Sequence, residues 1–462
     1  MRDAVAVLDI GKTNVKVVCF DDAGAMLFER STPNVSLPAP PYLHADTEAI
    51  WAFLLGALGE AARAVRITAI VPTTHGCAGA FVDDADLVLP VLDYEEARVE
   101  EIEPDYAAIR PPFSLTLSPP LPNGLNQGRQ IAWQMREFPD AVARAKRYLT
   151  YPQYWAWRLS GVAASDVTML GAHSDLWAPK ERAPSPLVAA LGLTRLLSPI
   201  RPSWARLGPL RPEIAARVGI GADTQIVSGA HDSNASLLPH LASRAAPFTV
   251  VSTGTWVILM AVGLGVEHLN PADDMLANVD VEGRPTACAR FMGGREFARI
   301  LDLLHASGPR APSRVRVERV LASGALGLPC FSGQGGPFAA QKSAIIGDVA
   351  PEDASALATL YVALLTDDLL GRLGATRGDL IVEGSFAANP MFAALLQAML
   401  PEANVSSSSD SAGTARGAAL LARWPDRSPP PPSEPAQKID WGGALDGYRA
   451  RWRAMVATPG DR

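Results

Sequence analysis

The feature that most restricts how this chain can fold is a hairpin pattern that occurs twice. Residues 4–8 and 15–20 are short apolar runs around a small polar turn, and residues 248–252 and 256–262 repeat that arrangement around residues 253–255. Apolar runs of this length bounded by Gly, Thr and Asn predict strands. The two copies share almost no identical residues, so we interpret the repeat as an internal duplication of structure.

The first turn, Gly11-Lys12-Thr13, looks like the end of a phosphate-binding P-loop. A P-loop also requires a glycine five positions before Gly11, because its long loop wraps backbone N–H groups around the phosphates. That position is Ala6, inside an apolar run. The sequence therefore predicts a tight hairpin turn that can face an anion, with Asp9 at the end of the preceding strand.

Length and composition narrow the class of protein. A chain of 462 residues with 48% hydrophobic residues predicts two domains with real cores. The net charge of −7 argues against nucleic acid or an anionic membrane as a partner and favours a small molecule. Four widely spaced cysteines, no signal pattern and no apolar stretch of bilayer length predict a soluble cytoplasmic protein.

Strands and helices alternate along the chain, which predicts the α/β class. Residues 47–64 have helical spacing with a start capped by Thr47 and Glu48, and the strand at 67–71 leads to His75. The strand at 225–228 leads to Asp232, where a helix begins. Open α/β sheets bind ligands at such strand ends, although an acid at a helix start can also be a simple cap.

Several further segments are assigned from local pattern. We expect a surface loop at 111–122 and a helix at 140–159, and later a helix at 354–373 and another at 411–422. Residues 427–436 are rich in proline and predict an extended linker. The spacing of Leu445, Tyr448, Trp452 and Met455 predicts a terminal helix that docks on the body of the protein.

Four motifs, DIGKTNVK, GAHDSNAS, STGTW and EGSFAANP, occur in this order between Ala4 and Ala422. Together they resemble the FGGY family of carbohydrate kinases. The resemblance implies two RNase H-like α/β domains of the actin-like ATPase superfamily, with an interdomain cleft that closes over ATP and a sugar. It implies a sugar- and phosphate-side domain at 1–240, a nucleotide-side domain at 241–424, and a linker and docking helix at 425–462.

The same resemblance implies ATP-dependent phosphorylation of a sugar hydroxyl with Mg²⁺. Phosphoryl transfer needs an aligned nucleophile, charge compensation and a base for the hydroxyl proton. Asp232 matches the catalytic base, and Asp9 matches the acid that holds Mg²⁺, through water. The phosphate-binding turns match Gly11, Lys12, Thr13, Asn14, Thr253, Gly254 and Thr255, and the adenosine motif matches Gly384, Ser385 and Asn389, with Ser385 in place of a second glycine.

On the sugar side the resemblance implies contacts from His75, His231, Tyr94 and Glu96. Tyr94, Glu96 and Arg98 fall where many members have W-x-D-x-R, so two of the three positions are substituted. Glu96 could accept hydrogen bonds from a sugar or belong to an acidic surface pair. His173 and Arg295 are further candidates.

The pair GAHDSNAS and STGTW looks most like the kinases of the deoxyketoses L-rhamnulose and L-fuculose. A polyol kinase for a glycerol- or tetritol-like substrate and a non-catalytic, actin-like ATP-binding switch are the alternatives. Relatives lead us to expect a homodimer, with no nucleic acid or membrane partner.

Overall fold

A computed structural model describes residues 1–307, 310–408, 412–426 and 428–457. The chain divides into two compact units. Unit 1 consists of Met1–Ser243, Ala277–Pro285 and Ala412–Pro430, and unit 2 consists of Arg244–Leu276, Thr286–Ser411 and Pro431–Arg462. Neither unit is one continuous stretch of sequence.

Unit 1 is built on a mixed sheet. The strands run in the spatial order Arg206–Pro209, Gln225–Val227, Arg66–Thr74, Asp3–Ile10, Asn14–Phe20 and Met26–Pro33, and Ala230–His231 also pairs with Arg66–Thr74. The three strands at the N-terminus form an antiparallel meander, and Asp3–Ile10 pairs in parallel with Arg66–Thr74. Apolar residues of these strands are buried because helices cover the sheet. In some segments the buried residues alternate with more exposed ones, and in others they form unbroken runs.

Unit 2 repeats this order. Its sheet runs through Pro285–Phe291, Val257–Val262, Phe248–Thr253, Gly378–Gly384, Ala403–Ser408 and Ser433–Pro435. The second hairpin is antiparallel, and its strand Phe248–Thr253 pairs in parallel with Gly378–Gly384. Each sheet therefore has an antiparallel meander followed by parallel strands, so the predicted duplication and the α/β class are confirmed.

The helices Thr47–Ala62, Ala354–Leu373 and Gly413–Leu420 lie close to the bounds predicted at 47–64, 354–373 and 411–422. The helices of unit 1 are Thr47–Ala62, Glu103–Ile109, Phe113–Thr116, Gln127–Glu137, Pro139–Ala143, Tyr151–Ser160, Val167–Leu170, Pro186–Ala190, Pro212–Val218, Asp232–Ser243 and Gly413–Leu420. Those of unit 2 are Gly293–Leu303, Arg314–Ser323, Ala354–Leu373, Pro390–Met399 and Ala444–Ala457. Shorter strand pairs are Ser36–Leu37 with His44–Ala45, Gly79–Val82 with Arg147–Thr150, Trp177–Ala178 with Ala183–Pro184, and Leu326–Leu328 with Ala344–Ile346.

Three local predictions are wrong. The first helix is capped by Asp46, whose carboxylate accepts the N–H of Ala49 at 3.0 Å, and not by Thr47. The expected helix at 140–159 is interrupted by Arg147–Thr150, because this segment pairs with the strand Gly79–Val82. Tertiary pairing thus overrides the helical pattern. A separate helix begins at Tyr151, with Pro152 in its first turn.

The expected surface loop at 111–122 is also wrong. It contains the short helix Phe113–Thr116, and Leu117 and Ser118 are buried. The carbonyl of Ser118 accepts a hydrogen bond from the guanidinium of Arg110 at 2.9 Å, and the amide of Asn126 donates to the hydroxyl of Ser118 at 3.1 Å. A segment rich in Pro and Ser can enter the interior when its polar groups find partners in this way.

The helix around Ala354–Leu373 corrects a further expectation. The segment Pro351–Leu373 is long and apolar enough to cross a bilayer, by length and composition alone. Most of it, 89% of the apolar window, is buried inside the protein. It is the central helix of unit 2 and has the burial of a core helix.

The C-terminal segment reaches unit 2 as a strand and a helix. Ser433–Pro435 lies antiparallel to Ala403–Ser408 at the sheet edge, and Ala444–Ala457 is helical. Trp452 is fully buried and its indole N–H donates to the carbonyl of Gly327 at 2.9 Å, and Val456 is more deeply buried than Met455. Arg427 of the expected linker and Ser411 of the expected helix at 411–422 lie outside the described residues.

Candidate active site

Asp9 lies at the turn end of the first hairpin. Its backbone partners are Lys16 across the hairpin and Thr73 in the parallel strand. The N–H of Gly11 donates to the carbonyl of Asn14 at 2.9 Å, which closes the turn. The fold thus sets a carboxylate one residue before the end of its strand, next to a turn made of Gly11, Lys12, Thr13 and Asn14.

The environment of Asp9 is unfavourable to its charge. The pKa of Asp9 is raised from 3.8 to about 7, first by burial and then by the nearby carboxylate of Asp232, while Lys16 offsets part of this rise. The strand that carries Asp9 and the short strand Ala230–His231 before Asp232 both pair with Arg66–Thr74, which brings the two carboxylates into one electrostatic neighbourhood.

Asp232 is the first residue of the helix Asp232–Ser243, and its side chain is 30% exposed. The oxygen Oδ1 accepts the N–H of Ser233 at 2.6 Å and the hydroxyl of Ser233 at 3.3 Å. Within the described part of the chain, no residue donates a hydrogen bond to Oδ2. Asp232 is therefore a partly exposed side chain with one carboxylate oxygen available to a ligand.

The acid pair fits a divalent cation of the Mg²⁺ type. Mg²⁺ is held in proteins by one or two carboxylates together with waters and substrate phosphates. Among the described residues no cluster of three or more His, Cys, Asp or Glu side chains could form a closed protein cage. A half-buried carboxylate such as Asp9, which a second carboxylate repels, is the kind of group that a cation stabilises.

His231 is buried beside Asp232. Its Nδ1 lies 2.8 Å from Oδ1 of Asn234, and its Nε2 lies 3.2 Å from Oδ1 of Asp232. The amide of Asn234 donates to the carbonyl of Val279, and the backbone N–H of His231 donates to the hydroxyl of Thr168 at 3.0 Å. Both ring nitrogens of His231 thus have partners inside unit 1.

His75 follows the strand Arg66–Thr74 and packs against aromatic rings. Its ring centroid lies 5.7 Å from that of Tyr94 and 5.3 Å from that of Tyr151. Its Nδ1 lies 2.8 Å from the carbonyl of Gly76, so Nδ1 is the donor and Nε2 is an acceptor in the neutral ring. Burial lowers the pKa of His75, which favours the neutral form.

Lys12 is engaged on the same side as Tyr94. Its ammonium pairs with Asp93, lies 3.2 Å from Glu95 and sits 5.0 Å above the centre of the Tyr94 ring. Burial acts to raise the pKa of Asp93, but hydrogen bonds from Lys12, Ser36 and the N–H of Glu95 outweigh it and lower the pKa. Lys12 therefore joins the first hairpin to the segment that carries Tyr94.

Glu96 is buried and holds its own segment together. The guanidinium of Arg98 donates to both oxygens of Glu96, at 2.9 and 2.8 Å, and the N–H of Leu43 donates at 2.8 Å. Hydrogen bonding to Arg98 lowers the pKa of Glu96 to about 2. Elsewhere in unit 1, Nδ1 of His173 lies 2.9 Å from the carbonyl of Leu125, and 3.4 Å from the sulfur of Cys77.

Unit 2 contains a cavity of 780 Å³ at the end of the second hairpin. A volume of this size suits a nucleotide-sized ligand. The lining brings together most of the predicted nucleotide-side residues with several that the sequence did not point out: Gly254, Thr255, Gly294, Arg295, Phe297, Ala298, Arg310, Ala311, Ser385, Phe386, Ala388 and Asn389.

The turn Thr253-Gly254-Thr255 is enclosed by two glycines. A Cβ on Gly384, whose φ is +80°, would lie 1.9 Å from the carbonyl oxygen of Thr253. A Cβ on Gly294 would lie 2.0 Å from the carbonyl oxygen of Gly254. The hydroxyl of Thr253 accepts the N–H of Phe386 at 2.9 Å, so the buried Thr253 braces the turn while Gly254 and Thr255 face the cavity.

The helix Gly293–Leu303 begins at this cavity. The N–H of Gly294 donates to the carbonyl of Thr255 at 3.2 Å, and Arg295 lines the cavity. Arg295, a candidate for the sugar side from the sequence, therefore lies at the cavity of unit 2 with Gly254 and Ser385. Asn389 lines the same cavity, but its amide donates to Thr359 at 3.0 Å and its Oδ1 accepts the N–H of Met391, as a helix cap.

Sequence reasoning missed several residues of both sites. Lys16 could have been found, because strand alternation in the first hairpin places it opposite Asp9. Asn234 is three residues after His231, the spacing of one helical turn. Asp93, Gly294 and Arg310 carry no local signal, because only the tertiary fold brings them to these sites.

The chain matches two family models over most of its length. Residues 4–239 match the N-terminal domain of the FGGY family of carbohydrate kinases, and residues 245–430 match the FGGY carbohydrate kinase C-terminal domain. An L-fuculokinase from Salmonella typhi is 30% identical over 269 residues, which is 56% of this chain and 56% of that protein. The chain thus aligns with about half the length of the curated relatives it matches.

Solved structures resemble the whole chain. A carbohydrate kinase from Novosphingobium aromaticivorans is 37% identical, with a TM-score of 0.91 and 98% of each chain covered. A xylulose kinase from Lactobacillus acidophilus, at 14% identity, has a TM-score of 0.80 over 99% of each chain and shows the shared fold alone. The two-domain fold is that of the sugar kinases in the actin-like ATPase superfamily, as predicted, and the chain belongs to the FGGY family of carbohydrate kinases.

Proposed function

We propose that this protein is an ATP-dependent kinase that transfers the γ-phosphoryl group to a hydroxyl of a small ketose, such as L-rhamnulose or L-fuculose, with Asp232 as the general base. The observation that carries the proposal is the carboxylate of Asp232, a partly exposed side chain whose Oδ2 accepts no hydrogen bond from the described residues and which lies near the half-buried Asp9. A base that receives a hydroxyl proton must have an oxygen available to the acceptor.

The reaction can be written with this chain's residues. As the acceptor hydroxyl attacks the γ-phosphorus, its proton passes to Asp232, the new O–P bond forms, and the bond to the bridging oxygen of ADP breaks. Mg²⁺, held by Asp9 through water, would supply neutralisation of phosphate charge. We assign donation to the phosphates to the turn of Gly11, Lys12, Thr13 and Asn14 and to that of Thr253, Gly254 and Thr255.

Sugar contacts are assigned to the aromatic and imidazole groups of unit 1. The Nε2 acceptor of His75 suits a sugar hydroxyl, and the ring of Tyr94 suits the apolar face of a sugar. The ion pairs Glu96–Arg98 and Lys12–Asp93 hold the segment around Tyr94 in place. We assign a further sugar contact to His231, which lies beside Asp232. The L-fuculokinase relatives and the GAHDSNAS motif support a deoxyketose.

The nucleotide is assigned to the cavity of unit 2. Gly384, Ser385 and Asn389 would surround the adenosine, and the start of Gly293–Leu303 together with Arg295 would meet phosphate charge. In functional terms we propose a sugar and phosphate side at 1–240, a nucleotide side at 241–424 and a C-terminal segment at 425–462. We further propose a cytoplasmic homodimer without nucleic acid or membrane partners.

The test is coupled ADP release with Mg²⁺ and ATP against L- and D-ketoses, aldoses and polyols. We expect strong acceleration by one ketose and a loss of about 10²- to 10⁴-fold in kcat for Asp232→Asn, the size of general-base effects. Asp223→Asn, an exposed acid of unit 1, is the control and should retain wild-type kcat.

The outcomes separate the alternatives. Acceleration by a polyol alone would replace the ketose with a glycerol-like substrate. Slow ADP release that no acceptor changes, equal in the wild type and in Asp232→Asn, would contradict the kinase mechanism and leave an ATP-binding switch.

A further inference from the structure

We propose that Lys12 is a specificity-determining residue of the acceptor site: Asp93 and Glu95 take up its ammonium beside Tyr94, so that the site selects uncharged polyhydroxy acceptors and rejects sugar acids. This selection rests on the proposed function, because it requires the acceptor to lie beside Tyr94. Sugar acids such as aldonates and uronates differ from the neutral sugars by a carboxylate, which needs a cation when it leaves water.

The ammonium of Lys12 is engaged by three groups at the first hairpin. A lysine ammonium has three N–H donors. That of Lys12 faces the carboxylate of Asp93, the carboxylate of Glu95 at 3.2 Å and the Tyr94 ring, whose centre lies 5.0 Å away. The phosphate contacts assigned to this turn therefore fall to its backbone N–H and hydroxyl groups, and the charge of Lys12 belongs to the acceptor side.

Asp93 is fixed as the partner of Lys12. Its side chain is 3% exposed, and besides Lys12 it accepts the hydroxyl of Ser36 and, at 2.9 Å, the N–H of Glu95. Lys12 cannot leave Asp93 without stranding a buried charge. The exposed Glu95 adds a second carboxylate, so the cluster of Lys12, Asp93 and Glu95 combines one positive charge with two negative ones.

The ring of Tyr94 connects this cluster to Asp232. Its centroid lies 5.7 Å from that of His75. Burial is the main cause of the raised pKa of the Tyr94 phenol, and the carboxylates of Glu95, Asp93 and Asp232 raise it further. An acceptor that contacts Tyr94 and Asp232 is therefore surrounded by negative charge.

Arg98 follows Tyr94 in the same segment and is paired as well. Its guanidinium donates to both oxygens of Glu96, at 2.9 and 2.8 Å, and lies 5.6 Å from the centre of the Trp133 ring. A sugar acid would thus place its carboxylate near that of Asp232 while Lys12 and Arg98 are held by other acids. Repulsion between like charges and the loss of hydration both oppose its binding, whereas a neutral sugar meets neither penalty.

The kinetic test measures, in the full-length protein, the ratio of kcat/KM for the preferred neutral acceptor to that for aldonates of the same chain length. We expect a ratio above about 100 in the wild type and a ratio at least ~10-fold lower in Asp93→Asn/Glu95→Gln, because the Lys12 ammonium is then free to pair with the acid. Adding Lys12→Met to the double variant should restore the wild-type ratio. Asp105→Asn/Glu213→Gln makes the same change in charge at two exposed acids of unit 1 and should keep the ratio.

Two single variants keep the test valid if replacement of the buried Asp93 disturbs folding. The side chain of Glu95 is 60% exposed, so Glu95→Gln should fold as the wild type does and lower the ratio about 2- to 3-fold. Lys12→Met should leave KM for ATP within about twofold of the wild-type value, because its ammonium does not serve the phosphates.

A direct readout does not depend on turnover. In protein labelled with fluorotyrosine, the ¹⁹F signal missing from Tyr94→Phe identifies Tyr94. We expect D-gluconate, D-galactonate or L-rhamnonate to shift this signal in Asp93→Asn/Glu95→Gln, but not in the wild type or in the variant that also carries Lys12→Met. This comparison decides the proposal even if no acceptor in the panel is phosphorylated, a result that would count against the proposed function alone.

Three results would overturn the inference. One is a wild type that phosphorylates aldonates as well as neutral sugars. Another is a ratio that neither Glu95→Gln nor the double variant changes, or a lowered ratio that persists when Lys12→Met is added, because the selection then does not depend on Lys12. The third is a raised KM for ATP in Lys12→Met with an unchanged acceptor ratio, which is the pattern of an ammonium that binds phosphate.

Discussion

Asp166 is a buried carboxylate that lowers the stability of the folded protein at neutral pH. It accepts the N–H of Thr168 at 2.9 Å and the hydroxyl of Ser203 at 2.6 Å, and it has no exposed surface. Burial raises the pKa of Asp166 from 3.8 to about 6, although these hydrogen bonds lower it. The hydroxyl of Thr168, a partner of Asp166, also accepts the backbone N–H of His231. Asp166 therefore supports the candidate active site, although its burial lowers the stability of the fold.

The pH dependence of Asp166→Asn tests this account. A folded-state pKa above the unfolded value means that the folded protein keeps the proton longer, so stability falls as pH rises from about 4 to about 6 and then stays level. The penalty is on the order of 3 kcal/mol above pH 6 for the two-unit shift. We expect the unfolding free energy of Asp166→Asn, relative to wild type, to rise over this window in urea titrations. A difference that does not change with pH would contradict the prediction.

At the scale of elements, the second hairpin depends on close backbone approach. The start of the helix Gly293–Leu303 and the strand end at Gly384 both pack against the turn Thr253-Gly254-Thr255. At Gly294 and Gly384 there is no room for a side chain larger than a hydrogen atom. This packing places Gly254, Thr255 and Gly294 together in the lining of the cavity of unit 2. It also explains why the first helical turn at Gly294 cannot carry a side chain.

Gly294→Ala is the corresponding prediction. Its Cβ would meet the carbonyl oxygen of Gly254 at 2.0 Å, so the turn must move; we expect a loss of about 2 kcal/mol or more in unfolding free energy and a raised KM for ATP. Gly371→Ala is the matched control, because its Cβ meets nothing within 4 Å on an exposed helical face. The control should be stabilised by up to about 1 kcal/mol. Equal stability of the two variants in chemical denaturation would refute the packing argument.

At the scale of the whole molecule, unit 1 is completed by a distant part of the chain. The helix Gly413–Leu420 packs on Asp232–Ser243 so closely that a Cβ on Gly417 would lie 1.8 Å from the carbonyl oxygen of Ala235. The guanidinium of Arg416 also donates to the carbonyl of Gly24. A protein truncated near residue 240 would therefore lack the helix Gly413–Leu420, which packs on the helix that begins with Asp232.

Fragments of the chain test this organisation. We expect residues 1–243 alone to be less stable than the same fragment with residues 412–430 attached through a flexible linker of about 15 residues, because the attached helix covers Asp232–Ser243. Urea unfolding followed by circular dichroism compares the two. If both fragments unfold at the same urea concentration, unit 1 does not need the returning segment.

Much of the fold and part of the site could be predicted from the sequence. Apolar runs and turn residues located both hairpins, and the long periodic helix Ala354–Leu373 was assigned to its bounds. The motif order identified the family and proposed Asp9 and Asp232. The segment around Arg147–Thr150 failed because its strand exists only through pairing with Gly79–Val82.

The sequence by itself determined the elements, their duplication and the family, because strand and helix periodicities and turn chemistry act over a few neighbouring residues. Only the tertiary structure decided that Asp9 and Asp232 repel each other, that Lys12 pairs with Asp93, and that Asn234 fixes the imidazole of His231. Contacts between distant residues depend on how sheets and helices pack, and burial then sets the charge and hydrogen bonding of each group.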